Sequence, residues 1–175
     1  MPVEIERKFL VANEGWRSSV TGIEKLRDGL VGVLDGAKVR VRIGQNNASL
    51  TVKSRRHGLS RSEYEYEIPM ADAEAMLTSV CAGRFIEKTR YTVENDGCQW
   101  VVDVHEGRLA GIIIAEIELD FEHQLFEIPN WAGREVTHNP RFHKRTIERL
   151  CHEEGRPLTI AELLNAPPER LLATG

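Results

Sequence analysis

The stretch Val3-Glu4-Ile5-Glu6-Arg7-Lys8-Phe9 constrains this chain more than any other. An extended strand turns successive side chains to opposite faces. Glu4, Glu6 and Lys8 therefore share one face, and Val3, Ile5 and Phe9 share the other. Two carboxylates and an ammonium then stand within ~14 Å, at ~3.3 Å per residue. Such a face suits a divalent cation held by carboxylates, with a lysine beside it to meet an anion. A half-buried strand with its polar side in water would produce the same short pattern, so one stretch alone decides nothing.

The pattern recurs. Residues 37–43 set Arg40 and Arg42 opposite Val39, Val41 and Ile43, and residues 50–53 put Thr51 and Lys53 on a polar face. Glu63, Glu65 and Glu67 alternate with Tyr64, Tyr66 and Ile68. Lys88 and Arg90 share a face within 84–93, and Asp103 lies opposite Trp100, Val102 and Val104. Within 112–121, Glu116 and Glu118 alternate with Ala115, Ile117 and Leu119. Residues 22–33 read as a weak strand interrupted at Asp28-Gly29, and 135–137 as a last short strand. Asn95-Asp96-Gly97 signals a hairpin. Helical spacing is expected over 71–82 and 142–151, as cover for the apolar strand faces, with a short helix near 16–20. Thr159-Ile160-Ala161-Glu162 reads as a capping box opening a further short helix.

The charged faces together hold eight acids, Glu4, Glu6, Glu63, Glu65, Glu67, Asp103, Glu116 and Glu118, against six bases, Lys8, Arg40, Arg42, Lys53, Lys88 and Arg90. A wet sheet face would normally mix in Ser, Thr, Gln and Asn. A sheet curled on itself would instead gather these charges in its interior. A dry interior of that kind would cost several kcal/mol per unpaired ion, so the cavity must hold water and a charged ligand. Divalent cations would turn the acid excess into an anion site and bridge to phosphate oxygens. Arginine forks and lysine point charges suit the same ligand. The constellation predicts a metal-dependent site for a short phosphate chain.

The 175 residues favour one main domain, here 1–155, with a helical tail over 156–175. A net charge of -4 argues against a general nucleic-acid binder. Cys81, Cys98 and Cys151 form no CxxC, and reduced thiols are expected. No basic leader with an apolar run and no apolar stretch of ~20 residues is present, which predicts a soluble cytoplasmic chain without membrane contact. Arg55 to Arg61 reads as a solvated basic loop at a possible site entrance. His105, in phase with Asp103, reads as a surface histidine or one behind the site.

Taken in order, these motifs resemble the CYTH superfamily, the triphosphate tunnel metalloenzymes. The hallmark E-x-E-x-K is Glu4-Ile5-Glu6-Arg7-Lys8. The resemblance continues through Val39-Arg40-Val41-Arg42, Leu50-Thr51-Val52-Lys53, Glu63-Tyr64-Glu65, Lys88-Thr89-Arg90-Tyr91, Asp103, Ala115-Glu116-Ile117-Glu118 and Trp131 to Thr137. It implies an α+β chain whose antiparallel sheet closes into a β-barrel, a tunnel with a charged lumen covered by a few helices. It implies phosphate binding by Lys8, Arg40, Arg42, Lys53, Lys88 and Arg90. It implies Mg2+ or Mn2+ held by Glu4, Glu6, Asp103, Glu116 and Glu118. The implied catalytic set is Lys8, Glu63, Glu65 and Asp103, the three carboxylates being alternatives for orienting water.

The implied reaction is hydrolysis of a triphosphate, inorganic tripolyphosphate first and nucleoside triphosphates next. A class IV-type adenylate cyclase, a thiamine triphosphatase and a polyphosphate-binding module without turnover are the alternatives. The resemblance also makes a homodimer an expectation. Two segments depart from it. Arg27-Asp28-Gly29-Leu30 stands where small bacterial relatives often carry Q-G-Y-L, and Arg141-Phe142-His143-Lys144 replaces R-Y-S-N.

Overall fold

Alternation of period two becomes strand wherever the sequence carries it. The computed structural model describes residues 3–171. Its strands are β1 (Val3–Val11), β2 (Val20–Leu34), β3 (Ala37–Ile43), β4 (Ala48–Lys53), β5 (Ser60–Glu67), β6 (Phe85–Asn95), β7 (Cys98–His105), β8 (Ile113–Glu118) and β9 (Ala132–Glu135). They form one antiparallel sheet in the order β5-β4-β3-β2-β6-β7-β8-β1-β9. The two ends meet where β1 pairs β5 through Val3↔Ser62, Glu4↔Arg61 and Ile5↔Ser60. Strands β1 to β8 therefore close into a ring-like tunnel, the architecture expected.

Two tight hairpins use Asp35-Gly36 and Asp96-Gly97, each pair at positive φ. That geometry matches the twist of the flanking strands. Among the described residues three α-helices complete the fold: α1 (Met70–Ala75), α2 (Lys144–Glu154) and α3 (Ile160–Asn165). The capping box on α3 forms as the sequence predicts, with Thr159 and Glu162 satisfying each other's backbone N–H groups.

Several boundaries differ from expectation. β2 runs unbroken for 15 residues. Gly29 marks a close approach there, not a break: a Cβ would stand 2.5 Å from Leu77 Cδ2 and 2.8 Å from Cys81 Sγ. The helix expected over 71–82 is α1 followed by a π-helical turn, Met76–Val80. The strand expected over 135–137 lies at Ala132–Glu135. β8 ends at Glu118.

The helices divide the covering differently from the expectation. α1 and the π turn cover the outer face of β3, packing Ala73, Leu77 and Cys81 on Val41 and Ile43. Trp16, Phe126 and Trp131 cover the outer faces of β1, β6, β7 and β8, against Phe9, Val93, Trp100 and Ile117. α2 does not cover an outer face. Its Ile147 and Leu150 pack with Leu10, Ile86, Ile112 and Ile114. Those four residues are in phase with Lys8, Lys88, Glu116 and Glu118, so they point inward. The tunnel interior is thus apolar at one end, and α2 closes it. Leu158, Leu163 and Ala166, from the segment expected as a tail, join the same cluster.

Candidate active site: the charged tunnel

The charged part of the interior is a cavity of about 480 Å3, within the size range of small-molecule sites. Its walls come from inward positions along β1, β2, β3, β4, β5, β6 and β8, plus the 54–58 loop and the segment 137–144 that leads into α2.

Acids and bases alternate around it. Lys53 Nζ donates to Glu4 Oε1 at 2.8 Å and to Glu63 Oε2 at 2.9 Å. Arg56 Nη2 reaches Glu4 at 3.1 Å and Glu6 at 2.6 Å. Arg61 also bridges these two carboxylates. Lys8 pairs with Glu6 at 3.1 Å and with Glu116. Arg90 links Glu116 at 3.4 Å to Asp103 at 2.7 Å. Lys88 joins Asp103 at 2.6 Å to Asp28 at 3.3 Å, and Arg42 Nε donates to Asp28 Oδ1 at 2.7 Å.

Charge pairing decides the titration. Burial alone would raise the carboxyls of Asp28, Asp103, Glu4 and Glu116, because it penalises the charged form. Lys88 and Arg42 overcome that at Asp28, and Lys88 with Arg90 does so at Asp103. Arg61 and Lys53 act likewise on Glu4, and Lys8 on Glu116. All four are held well below the usual carboxylate range. Glu118 goes the other way. Partial burial and then Glu4 and Glu6 push it up. It stands in register opposite Glu6, and no cation pairs with it among the described residues. Burial also pushes Glu63 up, against the pull of Lys53.

Of the residues expected in the site, Glu4, Glu6, Lys8, Arg40, Arg42, Lys53, Glu63, Arg90, Glu116 and Glu118 line this one cavity. Lys88 and Asp103 sit just behind the lining, 1% and 0% exposed. Glu65 is not brought in. It is exposed and accepts a hydrogen bond from Thr51 Oγ1 at 3.0 Å. The reason is local: β1 pairs with β5 only over Ser60–Ser62, so the far half of β5 has no facing wall.

Five site residues lay outside the sequence reading. Arg56 and Arg61 belong to the basic segment expected as a solvated loop at a possible site entrance, and they hold Glu4 and Glu6. Asp28 was hidden in a strand without clear alternation. Lys38 follows the two-residue step of Arg40 and Arg42 and was legible in principle. Lys144 comes from α2, where no strand period applies; its ammonium lies 4.0 Å from Asp103. His105 is buried behind the site, its Nδ1 3.0 Å from the Ile112 carbonyl oxygen. Burial and Lys144 lower it to about 4.

The family model described as the CYTH domain matches residues 2–149. The inorganic triphosphatase of Acetivibrio thermocellus is 42% identical over 142 residues, covering 81% of this chain and 90% of its own. That of Nitrosomonas europaea is 38% identical over 150 residues, covering 82% and 95%. A solved inorganic triphosphatase superposes with a TM-score of 0.57 at 35% identity, covering 82% of this chain and 92% of its own. A protein of Pyrococcus horikoshii shares the fold at 15% identity and a TM-score of 0.55, over 95% and 93% of the two chains. An inward-facing ring of paired charges on this sheet, together with that match over most of the chain, makes this protein a member of the CYTH domain family.

Proposed function

We propose that the chain hydrolyses inorganic tripolyphosphate to pyrophosphate and orthophosphate, with Mg2+ or Mn2+. The observation that carries the reading is the tunnel itself, whose charged side chains converge on a polyanion-sized cavity. Its relatives named inorganic triphosphatases support the same substrate.

The residues fit a divalent ion. The donors are carboxylate oxygens, which such ions prefer. Directly opposed like charges destabilise a strand pair, and Glu6 opposite Glu118 is such a pair. A cation between them removes the conflict. Among the described residues no ready cluster of three metal-binding side chains stands assembled, because Lys8, Arg56 and Arg61 occupy the carboxylates. Glu4, Glu6, Glu116 and Glu118 would hold the ion after those partners turn away. The ion would supply charge neutralisation at the phosphoryl oxygens.

The chain's own residues do the rest. Lys8, Lys53 and Arg56, released from their carboxylates, join Arg40 in gripping the phosphate chain. Arg42 and Arg90 are aimed by Asp28 and Asp103, and we assign Asp103 and Lys88 to that positioning. A water attacks the terminal phosphorus, the bridging P–O bond breaks, and pyrophosphate leaves. Glu63, whose raised carboxyl suits a base, takes the water's proton. Three free thiols support a reducing compartment, the cytoplasm.

The test supplies tripolyphosphate, ATP and thiamine triphosphate separately with Mg2+ or Mn2+ and assays phosphate, pyrophosphate and cyclic AMP. Orthophosphate with pyrophosphate from tripolyphosphate is expected. Cyclic AMP from ATP would select the cyclase instead, and binding without product would select a binding module.

A further inference from the structure

The alternation around the cavity has a gap on its cationic side. Of the cations that line it, Lys8, Arg42, Lys53, Arg56, Arg61 and Arg90 each contact a carboxylate, and Lys144 approaches Asp103. Lys38 and Arg40 line the same cavity and contact no carboxylate among the described residues. They sit two residues apart on β3, so both point inward. Lys38 stands in register opposite Lys53. Like charges opposed across two strands are destabilising; Lys53 is answered by Glu4 and Glu63, and Lys38 is the member left without a carboxylate contact among the described residues. Arg40 on β3, Arg56, Arg61 on β5 and Arg145 on α2 add positive charge around Lys38, with His143 close by, while Glu4, Glu6 and Glu63 are engaged by Lys53, Arg56 and Arg61. In a protein of net charge -4, Lys38 and Arg40 are cavity-lining cations left with capacity for an anion.

We infer that Lys38, with Arg40, forms a phosphate subsite that works without metal and receives the terminal phosphate of a polyphosphate chain before the carboxylate end opens. The carboxylate end is closed to anions until an ion displaces Arg56 and Arg61 from Glu4 and Glu6. The Lys38 end needs no such exchange. Loading then has an order: anion at Lys38 and Arg40 first, ion at the glutamates second. Burial and the surrounding cations lower Lys38 to about 8. Binding therefore takes up a proton at alkaline pH and weakens as pH rises through that value.

The inference rests on the triphosphatase reading only for the identity of the anion. Calorimetry in EDTA at low salt tests it, titrating tripolyphosphate and inorganic phosphate into wild type, Lys38→Met and Lys38→Arg. Wild type should bind tripolyphosphate. Lys38→Met should bind about tenfold more weakly, the loss of one charge-assisted contact. Its melting temperature should equal or exceed that of wild type, because an unpaired cation has gone, and Lys38→Arg should retain binding. Absence of wild-type binding in EDTA would overturn the subsite. So would Lys38→Met binding as wild type does, or weakening only alongside a lower melting temperature. Turnover with Mg2+ but no binding in EDTA sinks the subsite alone. Binding in EDTA with no turnover of any triphosphate sinks the enzyme reading alone.

Discussion

Asp28 holds two cations with one carboxylate. Its neighbour Lys88 is 1% exposed and, among the described residues, is paired with Asp28 and Asp103. Removing Asp28 leaves buried Lys88 sharing Asp103 with Arg90 and leaves Arg42 without its carboxylate, and breaking such a buried network costs about 3 kcal/mol. Asp28→Ala is therefore expected to lose about 3 kcal/mol in denaturant unfolding, and to raise the KM for tripolyphosphate because Arg42 loses its aim. An unchanged unfolding midpoint would contradict this pairing. The same pairs set the response to acid. Asp28, Asp103, Glu4 and Glu116 titrate lower when folded than unfolded. Their contribution is complete above the unfolded value of about 4 and is lost as pH falls through the folded values. Buried His105, lowered to about 4 when folded, adds a decline that begins near pH 6.5, where the unfolded chain takes up the proton first. Melting temperature should therefore fall gently below about pH 6.5 and steeply below about pH 4; a flat profile down to pH 4 would contradict the burial of His105, and no steepening below pH 4 would contradict the carboxylate pairing.

At the scale of the element, β2 and α2 explain what was hidden in the sequence. The strands of the site were legible because charge and apolarity alternate cleanly in β1, β3, β5 and β8. β2 lacks that signal, since Asp28-Gly29 looks like a turn. In fact Gly29 lets the π turn press onto the strand, and Asp28 turns inward beside it. Gly29→Ala should cost about 2 kcal/mol by overpacking against Leu77 and Cys81, measured by thermal unfolding; a neutral result would show that the π turn can shift. α2 was visible as a helix, but its position was not. Amphipathicity reports an apolar stripe, not which surface receives it. Only the closed sheet reveals that Leu10, Ile86, Ile112 and Ile114 face inward and need a plug. Leu150→Ala, at a fully buried position on that plug, should destabilise by about 3 kcal/mol. It should also loosen Lys144 at the cavity, seen as a raised KM.

At the scale of the molecule, the ring converts a local repeat into a site. Each strand alone offers two or three charges in water. Closure of β1 on β5 brings them into one cavity, where they must neutralise each other or a ligand. Most neutralise each other, and Lys38, Arg40 and Glu118 do not. Glu65 shows the limit of reading phase alone: it keeps step with Glu63 but lies beyond the wall. The central claim is that the glutamates exchange their lysine and arginine partners for a divalent ion and so free those cations for triphosphate. The direct measurement is orthophosphate release from tripolyphosphate by wild type, Glu6→Gln and Glu118→Gln, in Mn2+ and in EDTA. The account predicts release by wild type in Mn2+ only, and a fall of about a hundredfold or more in each variant. Release that persists in EDTA, or near-normal rates in both variants, would contradict it.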